Sequence, residues 1–292
     1  MGGIGWFQTT KRAAKEFSAD DMMTYAAAVS YQVFFSLFPF VIFLLALLGF
    51  LDLRPVFDFL LEQARALMPR NAFSMVEGII GQIQGQASGG IMSFGAILAL
   101  WSASSAVRMT MHALNVAYDV EDRPAWKKMP LSVLYALLLA ALLIVAAGLM
   151  FFGPKLVEPV LQAVGLGPVT TLVLALWTWL RIPVAVLLIM LIVALIYYLF
   201  PNTSQPFRYI TPGAVIAVLV WIAASLGFSF YVSNFSSYSA TYGAVASVIV
   251  LLLYFSISAA ILLFGAEINA ETYRAAEGEG VVNGGRSGSD EG

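Results

Sequence analysis

The long run without charged residues near the end of the chain most constrains what this sequence can fold into. No Asp, Glu, Lys, Arg or His occurs from Tyr209 to Ala266. Roughly 20 apolar residues in a helix cross the hydrocarbon core of a bilayer, so this run is long enough for two spans. The composition agrees, because 60% of the residues are hydrophobic and 11% are charged, against about 25% charged in globular proteins. The sequence therefore predicts an all-α integral membrane protein.

Several classes of function are excluded by what the sequence lacks. It has no cysteine, one histidine and a net charge of -2, so thiol chemistry, Cys-ligated metals and a polybasic surface for nucleic acid are not expected. Neither an HExxH nor a GxxxxGK[ST] motif is present. The N-terminal residues do not form a signal peptide. We therefore expect no enzyme, no catalytic residue, no metal and no cofactor, and membrane lipids as the first partners.

Hydropathy predicts six spans at about residues 25–51, 91–114, 129–153, 180–200, 212–232 and 243–266. Residues 1–24 form an amphipathic cytoplasmic segment, and residues 274–292, rich in glycine and acids, form a disordered tail. The insert 52–90 repeats its apolar residues at three and four, which predicts short extracytoplasmic amphipathic helices. The segment 160–180 has three interpretations, namely re-entrant, interfacial or part of a span, and a seventh span there would move the C-terminus to the other side.

The distribution of positive charge predicts the orientation. With six spans both termini lie on one side, which carries nine Lys and Arg residues, against five on the other side. Short cytoplasmic loops carry the excess of Lys and Arg. Both termini are therefore expected in the cytoplasm.

Polar residues within the second span fall on one face. At about 100° per residue, its serines, arginine, histidine, asparagine and aspartate share an arc of about 100°; they are Ser104, Ser105, Arg108, His112, Asn115 and Asp119. Ionisable groups in a span face the bundle or a water-filled cavity. This face is either a structural seam or the wall of a substrate path, and His112 is either a packed or a titrating side chain. We expect Arg108 to contact polar groups of the first or sixth span.

Other spans carry weaker polar faces. Gln32 and Ser36 align on the first span, and Ser258 and Asn269 align on the sixth. These four residues extend the predicted seam. Arg181, beside Trp179, is interpreted as an anchor at the outer interface, with a functional role as the alternative.

Three stretches carry a resemblance to a known family. The stretches are AAAVSYQVFFSLFPFVIFLLALLG, WSASSAVRMTMHALNVAYDVEDRP and YVSNFSSYSATYGAVASVIVLLLYFSISAAILLFGAEINAE. They resemble the YihY/virulence factor BrkB family and occur in the order expected for it. The resemblance implies a bacterial inner-membrane protein with six spans. An old ribonuclease BN label for this family is regarded as a misassignment, and links to export of lipopolysaccharide precursors suggest lipid movement. Its strongest motifs match Arg108, Asn115, Asp119, Gly265, Glu267 and Asn269, whereas Ala106 stands where the family often has a basic or polar residue.

Two functions are carried forward, with a membrane-bound nuclease as a third and weaker alternative. The first is a secondary transporter or a translocase of lipids or envelope precursors, in which Arg108 attracts an anionic lipid or small solute. The second is a scaffold for envelope assembly that docks a periplasmic partner. Glu267 is expected not to pair with Arg108. Instead, it is expected to cap the inner end of the bundle, bonding backbone or a basic group such as Lys127 or Lys128, while Asp119 has a structural role at the same end.

Overall fold

The computed structural model describes residues 6–50, 89–163, 170–203, 209–233 and 236–286. Every regular element in these ranges is an α-helix, which confirms the predicted all-α class for this part of the chain. The helices are α1 (Trp6–Ala19), α2 (Met22–Phe50), α3 (Gly89–Ala117), α4 (Ala125–Ala163), α5 (Thr170–Leu199), α6 (Pro212–Ser233) and α7 (Ser236–Arg286).

The long helices alternate in direction. One end of the bundle is therefore formed by the first residues of α2, α4 and α6 together with the last residues of α3 and α5. Residues 263–275 of α7 lie at the same end. We call this the polar end of the bundle, because polar side chains connect its helices there around a buried apolar core. The connecting pairs include Tyr25–His112, Asn115–Asn202, Arg123–Phe200, Gly213–Asn269 and Asp119–Arg274.

Two aspartates end helices at the polar end. Asp21 follows α1 with a φ of 55°, and Asp119 follows α3 with a φ of 52°. Asp tolerates this left-handed conformation better than most residues because its short polar side chain bonds locally. The chain therefore turns sharply from α1 into α2 and from α3 toward α4.

Five described helices are long and apolar enough to cross a bilayer. Their apolar windows are Met22–Phe43, Ala125–Ala146, Trp179–Leu199, Pro212–Val232 and Val248–Ala275. A membrane protein with several spans is therefore supported, but the sixth predicted span is not among these windows. That span corresponds to α3, whose polar residues lower its hydropathy. Met111, Ala113 and Leu114 on α3 have no exposed surface, so much of this helix faces protein, where polar groups find partners.

Several predicted bounds differ from the helices. The segment 160–180 is expected from sequence to be re-entrant, interfacial or part of a span. Its residues 160–163 belong to α4 and its residues 170–180 belong to α5, so the described parts extend two long helices. Residues 164–169 lie outside the described residues. Helix α7 continues to Arg286, whereas composition predicts disorder from residue 274. Almost all of the predicted amphipathic insert 52–90 lies outside the described residues.

Helices α6 and α7 approach closely at two glycines. A Cβ atom added to Gly213 would lie 1.9 Å from the carbonyl oxygen of Gly265, and one added to Gly265 would lie 2.7 Å from that of Gly213. The Tyr197 hydroxyl of α5 donates to the Leu262 carbonyl of α7 at 2.6 Å. Small residues let helix backbones pack closely inside membranes. This crossing sets the position of residues 265–270 of α7.

Helix α1 packs on α7 at the polar end. The Phe17 and Phe264 rings meet edge to face with centroids 5.7 Å apart, and Ala13 has no exposed surface. The amphipathic pattern of α1 is explained by this contact, since its apolar side faces the bundle while Lys11, Arg12 and Lys15 are exposed.

Candidate functional site

Arg108 lies on α3, roughly 13 Å before the end of the helix at 1.5 Å per residue. Its Nη1 donates to Ser104 Oγ at 2.9 Å and to Ser132 Oγ at 3.2 Å, and its Nη2 donates to Ser105 Oγ at 2.6 Å. Its Cζ also lies 5.8 Å from the centroid of the Trp101 ring, within the range of a cation–π contact. We call Arg108 with these three serines the Arg108 site.

The Arg108 site joins α3 to α4. The expectation that Arg108 contacts polar groups of the first or sixth span is wrong, because Ser132 is on α4. In the described ranges no Asp or Glu forms an ion pair with Arg108, and Glu267 is not a partner, as expected. The guanidinium is half-buried, and its hydrogen-bond partners in the described ranges are serine hydroxyl groups.

A second group of polar residues surrounds Asp122, which follows the end of α3 and lies nearer to the polar end than Arg108 does. Asp122 Oδ2 lies 2.9 Å from His112 Nδ1 and accepts from Lys128 Nζ at 2.6 Å, while Oδ1 accepts from Asn115 Nδ2 at 2.6 Å. Burial alone would raise the pKa of Asp122, but hydrogen bonds from Lys128 and Asn115 outweigh it and hold the pKa below its usual range. Asp122 is therefore an anionic anchor for the end of α3.

His112 and Asn115 also contact other helices. The Tyr25 ring of α2 meets the His112 ring edge to face at 5.5 Å, and Asn115 Oδ1 accepts from the backbone N–H of Asn202 at 2.8 Å. Each side chain thus has defined partners at the polar end. Of the predicted seam on α3, the two serines gather at Arg108, and His112 and Asn115 gather at Asp122.

Arg123 closes the end of α5. Its guanidinium donates to the carbonyl groups of Phe200 and Pro201, both at 2.6 Å, and to that of Leu199 at 3.4 Å. The last carbonyl groups of a helix have no partner within the helix, and a basic side chain satisfies them. The turn between α3 and α4 is therefore fastened to α5 as well as to α3.

Asp119 pairs with Arg274 of α7. Arg274 Nη2 donates to Asp119 Oδ2 and, at 3.0 Å, to the carbonyl of Ala117, while Nη1 donates to Glu271 Oε1 at 2.6 Å. The pair connects the end of α3 with α7. Asp119 thus lies at the polar end.

Glu267 differs from every other acidic residue at the polar end. It has no exposed surface, and neither of its carboxylate oxygens has a hydrogen-bond partner. The expected contacts with backbone, Lys127 or Lys128 are therefore wrong, because Lys128 bonds Asp122 and Lys127 lies over the Trp126 ring at 4.9 Å. Glu267 is also enclosed, since α1 packs over this part of α7.

The two α7 members of the predicted seam bond to α6. Asn269 Oδ1 accepts from the backbone N–H of Gly213 at 2.8 Å, and Asn269 Nδ2 donates to Thr211 Oγ1 at 3.0 Å. Because the first N–H groups of a helix lack partners, Asn269 caps the start of α6. Ser258 Oγ accepts from Trp221 Nε1 at 3.1 Å. Neither residue contributes to the Arg108 site.

The remaining predicted residues are separate from this site. Ser36 Oγ donates to the Val33 carbonyl of its own helix at 2.7 Å, and Gln32 is half-buried on α2. Arg181 is exposed on α5, beside the start of its apolar window. Across the described ranges, no three His, Asp or Glu side chains come together in a group that could hold a metal ion.

Sequence reasoning missed Ser132, Asp122, Arg123 and Asp20. Asp122 and Arg123 stand in the quoted stretch YDVEDRP, where an acid-rich turn directly after a polar helix face is a usable signal. Ser132 carries no such signal, since an isolated serine near the start of a span is common. Asp20 belongs to the stretch SADD, which lies outside the predicted polar faces of the spans.

A bundle of long apolar helices with polar side chains gathered at one end defines a multi-span α-helical membrane protein. The chain belongs to the virulence factor BrkB family, whose family model matches residues 13–285. This match confirms the resemblance carried by the three sequence stretches.

Curated relatives agree with this membership. A protein of Bacillus subtilis named ribonuclease-like protein YfkH is 35% identical over 261 residues, which cover 89% of this chain and 93% of that protein. UPF0761 membrane proteins of Pseudoalteromonas translucida and Mannheimia succiniciproducens are each 38% identical, over 26% of this chain and about a quarter of their own length. No solved structure matches the chain.

Proposed function

We propose that this protein is a secondary transporter or lipid translocase of the bacterial inner membrane, and that Arg108 binds the anionic group of its substrate. The single observation that carries the proposal is the Arg108 site, where a guanidinium within the bundle has hydroxyl partners and no paired carboxylate. Placing a charged side chain in a span costs about 2.5–3.5 kcal/mol or more, which makes such residues functional by default.

The hydroxyl partners suit an exchangeable site. A guanidinium presents a planar fork that matches the oxygens of a phosphate or carboxylate. This fork is occupied by the neutral hydroxyl oxygens of Ser104, Ser105 and Ser132. An anionic oxygen accepts a stronger hydrogen bond from a guanidinium than a hydroxyl oxygen does. An anionic headgroup could therefore replace them, and the serines would then return when it leaves.

Polar groups continue from Arg108 toward the polar end. His112 stands four residues after Arg108 and Asn115 three residues after His112, so these side chains share one face of α3. We propose that this face, with α4, lines the path of the polar part of a substrate. Its apolar part would remain in the lipid beside the exposed surfaces of the spans.

We further propose that α3 is the sixth span and that the polar end lies in the cytoplasm. Exposed Lys11, Arg12 and Lys15 of α1 are at this end, together with the basic residues of the turn between α3 and α4, as the rule for cytoplasmic loops requires. The native chain lacks cysteine, so Ala125→Cys provides a clean test. In intact cells an impermeant thiol reagent should label it only after the membrane is opened. Labelling before that would reverse the orientation.

The proposal contains no catalytic step. The ribonuclease-like name belongs to the Bacillus relative and is not transferred to this chain. His112 is the one histidine of the sequence, and its Nδ1 is engaged by Asp122. We therefore propose that it lines the polar face of α3 without a catalytic role.

Translocation in liposomes tests the proposed function. Purified protein is reconstituted with fluorescent lipids that differ only in headgroup, either anionic or zwitterionic, and movement between leaflets is followed with an impermeant quencher. Soluble anions trapped in the lumen form a second arm. Arg108→Gln should reduce movement of the anionic substrate roughly tenfold to a hundredfold, since hydrogen bonds to charged groups contribute about 1.5–3 kcal/mol.

Arg181→Gln is the matched control, because Arg181 is an exposed arginine of another span and lies outside the Arg108 site. It should leave the rate unchanged, and Arg108→Lys should retain part of it. If native protein moves neither headgroups nor soluble anions, or if folded Arg108→Gln protein is as fast as native protein, the proposal fails. Loss of envelope integrity only on replacing residues 52–88 would then favour the scaffold.

A further inference from the structure

The enclosed carboxylate of Glu267 is unexplained by the Arg108 site. Glu267 has no exposed surface and neither oxygen has a partner. Phe17 of α1 packs on Phe264, which lies one helical turn before Glu267 on α7. Burying an ionised carboxylate without partners is among the most expensive arrangements in a protein. Some change in charge or pairing must offset this cost.

Asp20 lies directly after α1. It stands three residues after Phe17, as Glu267 stands three residues after Phe264, so the contact between these two rings brings the end of α1 to the part of α7 that carries Glu267. The two carboxyl groups act electrostatically on each other. If both groups are ionised, each has only acceptor oxygens, so no hydrogen bond forms between them. One added proton changes this, because the protonated group donates an O–H bond to the remaining carboxylate. Such charge-assisted O–H···O⁻ bonds are short and strong.

The surroundings of the two carboxyl groups are mainly acidic. Glu16 of α1 and Asp119 after α3 act electrostatically on both groups, and Arg274 of α7 is the cation that acts on them. Arg274 is already bonded to Glu271, Asp119 and the Ala117 carbonyl. Helices α2 and α6 carry no charged residue, and the basic residues of α1 are exposed.

The same surroundings act on Asp20. Burial, followed by the negative charges of Asp119 and Glu16, raises the pKa of Asp20 above the usual range of an aspartate. Two carboxyl groups that share a site bind one proton far more tightly than an isolated carboxyl group does. A metal ion is a poorer occupant, since no group of three acidic or histidine side chains suited to a metal occurs in the described ranges.

We propose that Asp20 and Glu267 form a proton-binding site, in which one shared proton bonds α1 to α7 and loss of that proton releases α1. The site does not rest on Arg108 or on transport. Upon deprotonation, two negative charges face each other in an enclosed space while Glu16 and Asp119 stay nearby. The apolar packing of α1, which includes Phe17 on Phe264 and the buried Ala13, then opposes this repulsion without the shared proton, and α1 separates from the bundle.

The direction of the pH effect follows from proton binding. The docked state holds one proton more than the released state over the range in which the pair titrates, so docking is stabilised at low pH and weakened as pH rises. Ala13 reports on docking, because it has no exposed surface when α1 is packed. The neighbouring Ala14 is exposed.

Single cysteines at these two positions test the site in the full-length protein in detergent or liposomes. The rate of maleimide labelling is measured from acid to alkaline pH for Ala13→Cys and for Ala14→Cys. The ratio of the two rates removes the pH dependence of the thiol itself. We expect this ratio to be low at acid pH and to rise at least tenfold across one titration step. A ratio that stays flat would overturn the proposal.

Neutral variants of the pair sharpen the test. Glu267→Gln and Asp20→Asn each supply an amide donor to the remaining carboxylate, so the ratio should stay low at every pH. Glu16→Gln removes a negative neighbour that favours the proton, and the step should persist but move to lower pH. A native-like step in Glu267→Gln would assign the titration elsewhere and overturn the proposal.

Infrared difference spectra give a second readout that is independent of α1 labelling. The native protein should show the C=O band of a protonated carboxylic acid disappearing over the same pH range as the labelling step. This band should be absent from Glu267→Gln protein. Its persistence in both Glu267→Gln and Asp20→Asn proteins would show that a different carboxyl group titrates.

Discussion

Arg108 and Glu267 are both drawn away from water, but the structure surrounds them in opposite ways. Arg108 is half-buried between α3 and α4 and donates to three serine hydroxyls. Glu267 is fully enclosed under α1, and its oxygens have no partner. A hydroxyl group can both donate and accept, so serines serve a guanidinium well. A carboxylate needs donors, and none reaches Glu267.

The difference teaches how each site can be used. The Arg108 site has neutral hydroxyl partners, which suit the reversible binding of an anion that we propose. The Glu267 site is closed, and a proton is small enough to enter it without opening the helix packing. The following substitutions test whether the helices around Glu267 are tightly packed and whether the Arg108 site is only weakly held by its partners.

The largest effect is expected from closing the glycine crossing beside Glu267. Gly265→Ala places a Cβ atom 2.3 Å from the Tyr197 hydroxyl and 2.7 Å from the Gly213 carbonyl oxygen. Backbone atoms cannot rotate away, so the free energy of unfolding should fall by about 1–3 kcal/mol, as in other overpacked cores. Unfolding in mixed micelles measures the change.

Gly227→Ala is the control for this prediction. An added Cβ atom at Gly227 meets nothing within 4 Å, and alanine is a better helix former than glycine by about 1 kcal/mol. Its stability should therefore be unchanged or higher. Equal stability of the Gly265 and Gly227 variants would show that the α6–α7 crossing is looser than the structure has it.

A moderate, pH-dependent effect is expected at Asp122. Asp122→Asn removes the charge that bonds Lys128 and leaves that ammonium unpaired, which should cost about 1 kcal/mol near neutral pH after allowing for exposure to solvent. The pKa of Asp122 is lower in the folded protein than in the unfolded chain, where it is about 3.9. Its contribution to stability is therefore fully present above the unfolded-state pKa and is lost as the pH falls through the folded-state pKa. Native and variant stabilities should therefore converge in acid.

This prediction is checked by unfolding both proteins over a series of pH values. Glu121→Gln is a suitable control, since Glu121 is an exposed acid of the same turn and its side chain is expected to contribute little. A constant difference between native and Asp122→Asn protein down to acid pH would show that the charge of Asp122 is not the stabilising feature.

The smallest effect is expected at the Arg108 site. Ser132→Ala removes one neutral partner of a guanidinium that keeps two others, so the free energy of unfolding should fall by about 0.5 kcal/mol, at the low end for hydrogen bonds. Ser132→Thr keeps the hydroxyl and should restore it. A loss above about 2 kcal/mol would mean that Arg108 is bound too tightly by its serine partners for an anion to replace them. That result would contradict the proposed reversible binding at the Arg108 site.

Much of the fold was predictable because it depends on local pattern. The charge-free run from 209 to 266 predicts two spans, and α6 and α7 occupy it. The polar arc of the second span is equally local, since Ser104 and Ser105 stand within four residues of Arg108 and helical periodicity places them together. His112 and Asn115 share the next turns for the same reason, although their common partner, Asp122, lies beyond the helix.

Contacts between helices were not predictable in the same way. Alignment along α7 could not show that Asn269 caps the start of α6, because that contact depends on the rotation of one helix about its axis relative to another. The predicted partner of Glu267 failed for a related reason. Treating the polar end as a membrane boundary ignored α1, which covers this part of α7.

The sequence by itself determined the class of protein, the family and the residues that share a face of each helix, because hydropathy and a period of about 3.6 residues are properties of a single segment. The tertiary structure decided that Arg108 meets Ser132 of α4 and that Glu267 lies enclosed under α1. These contacts arise between different segments of the chain, so the packing of the helices on one another selects them, and no property of a single segment does.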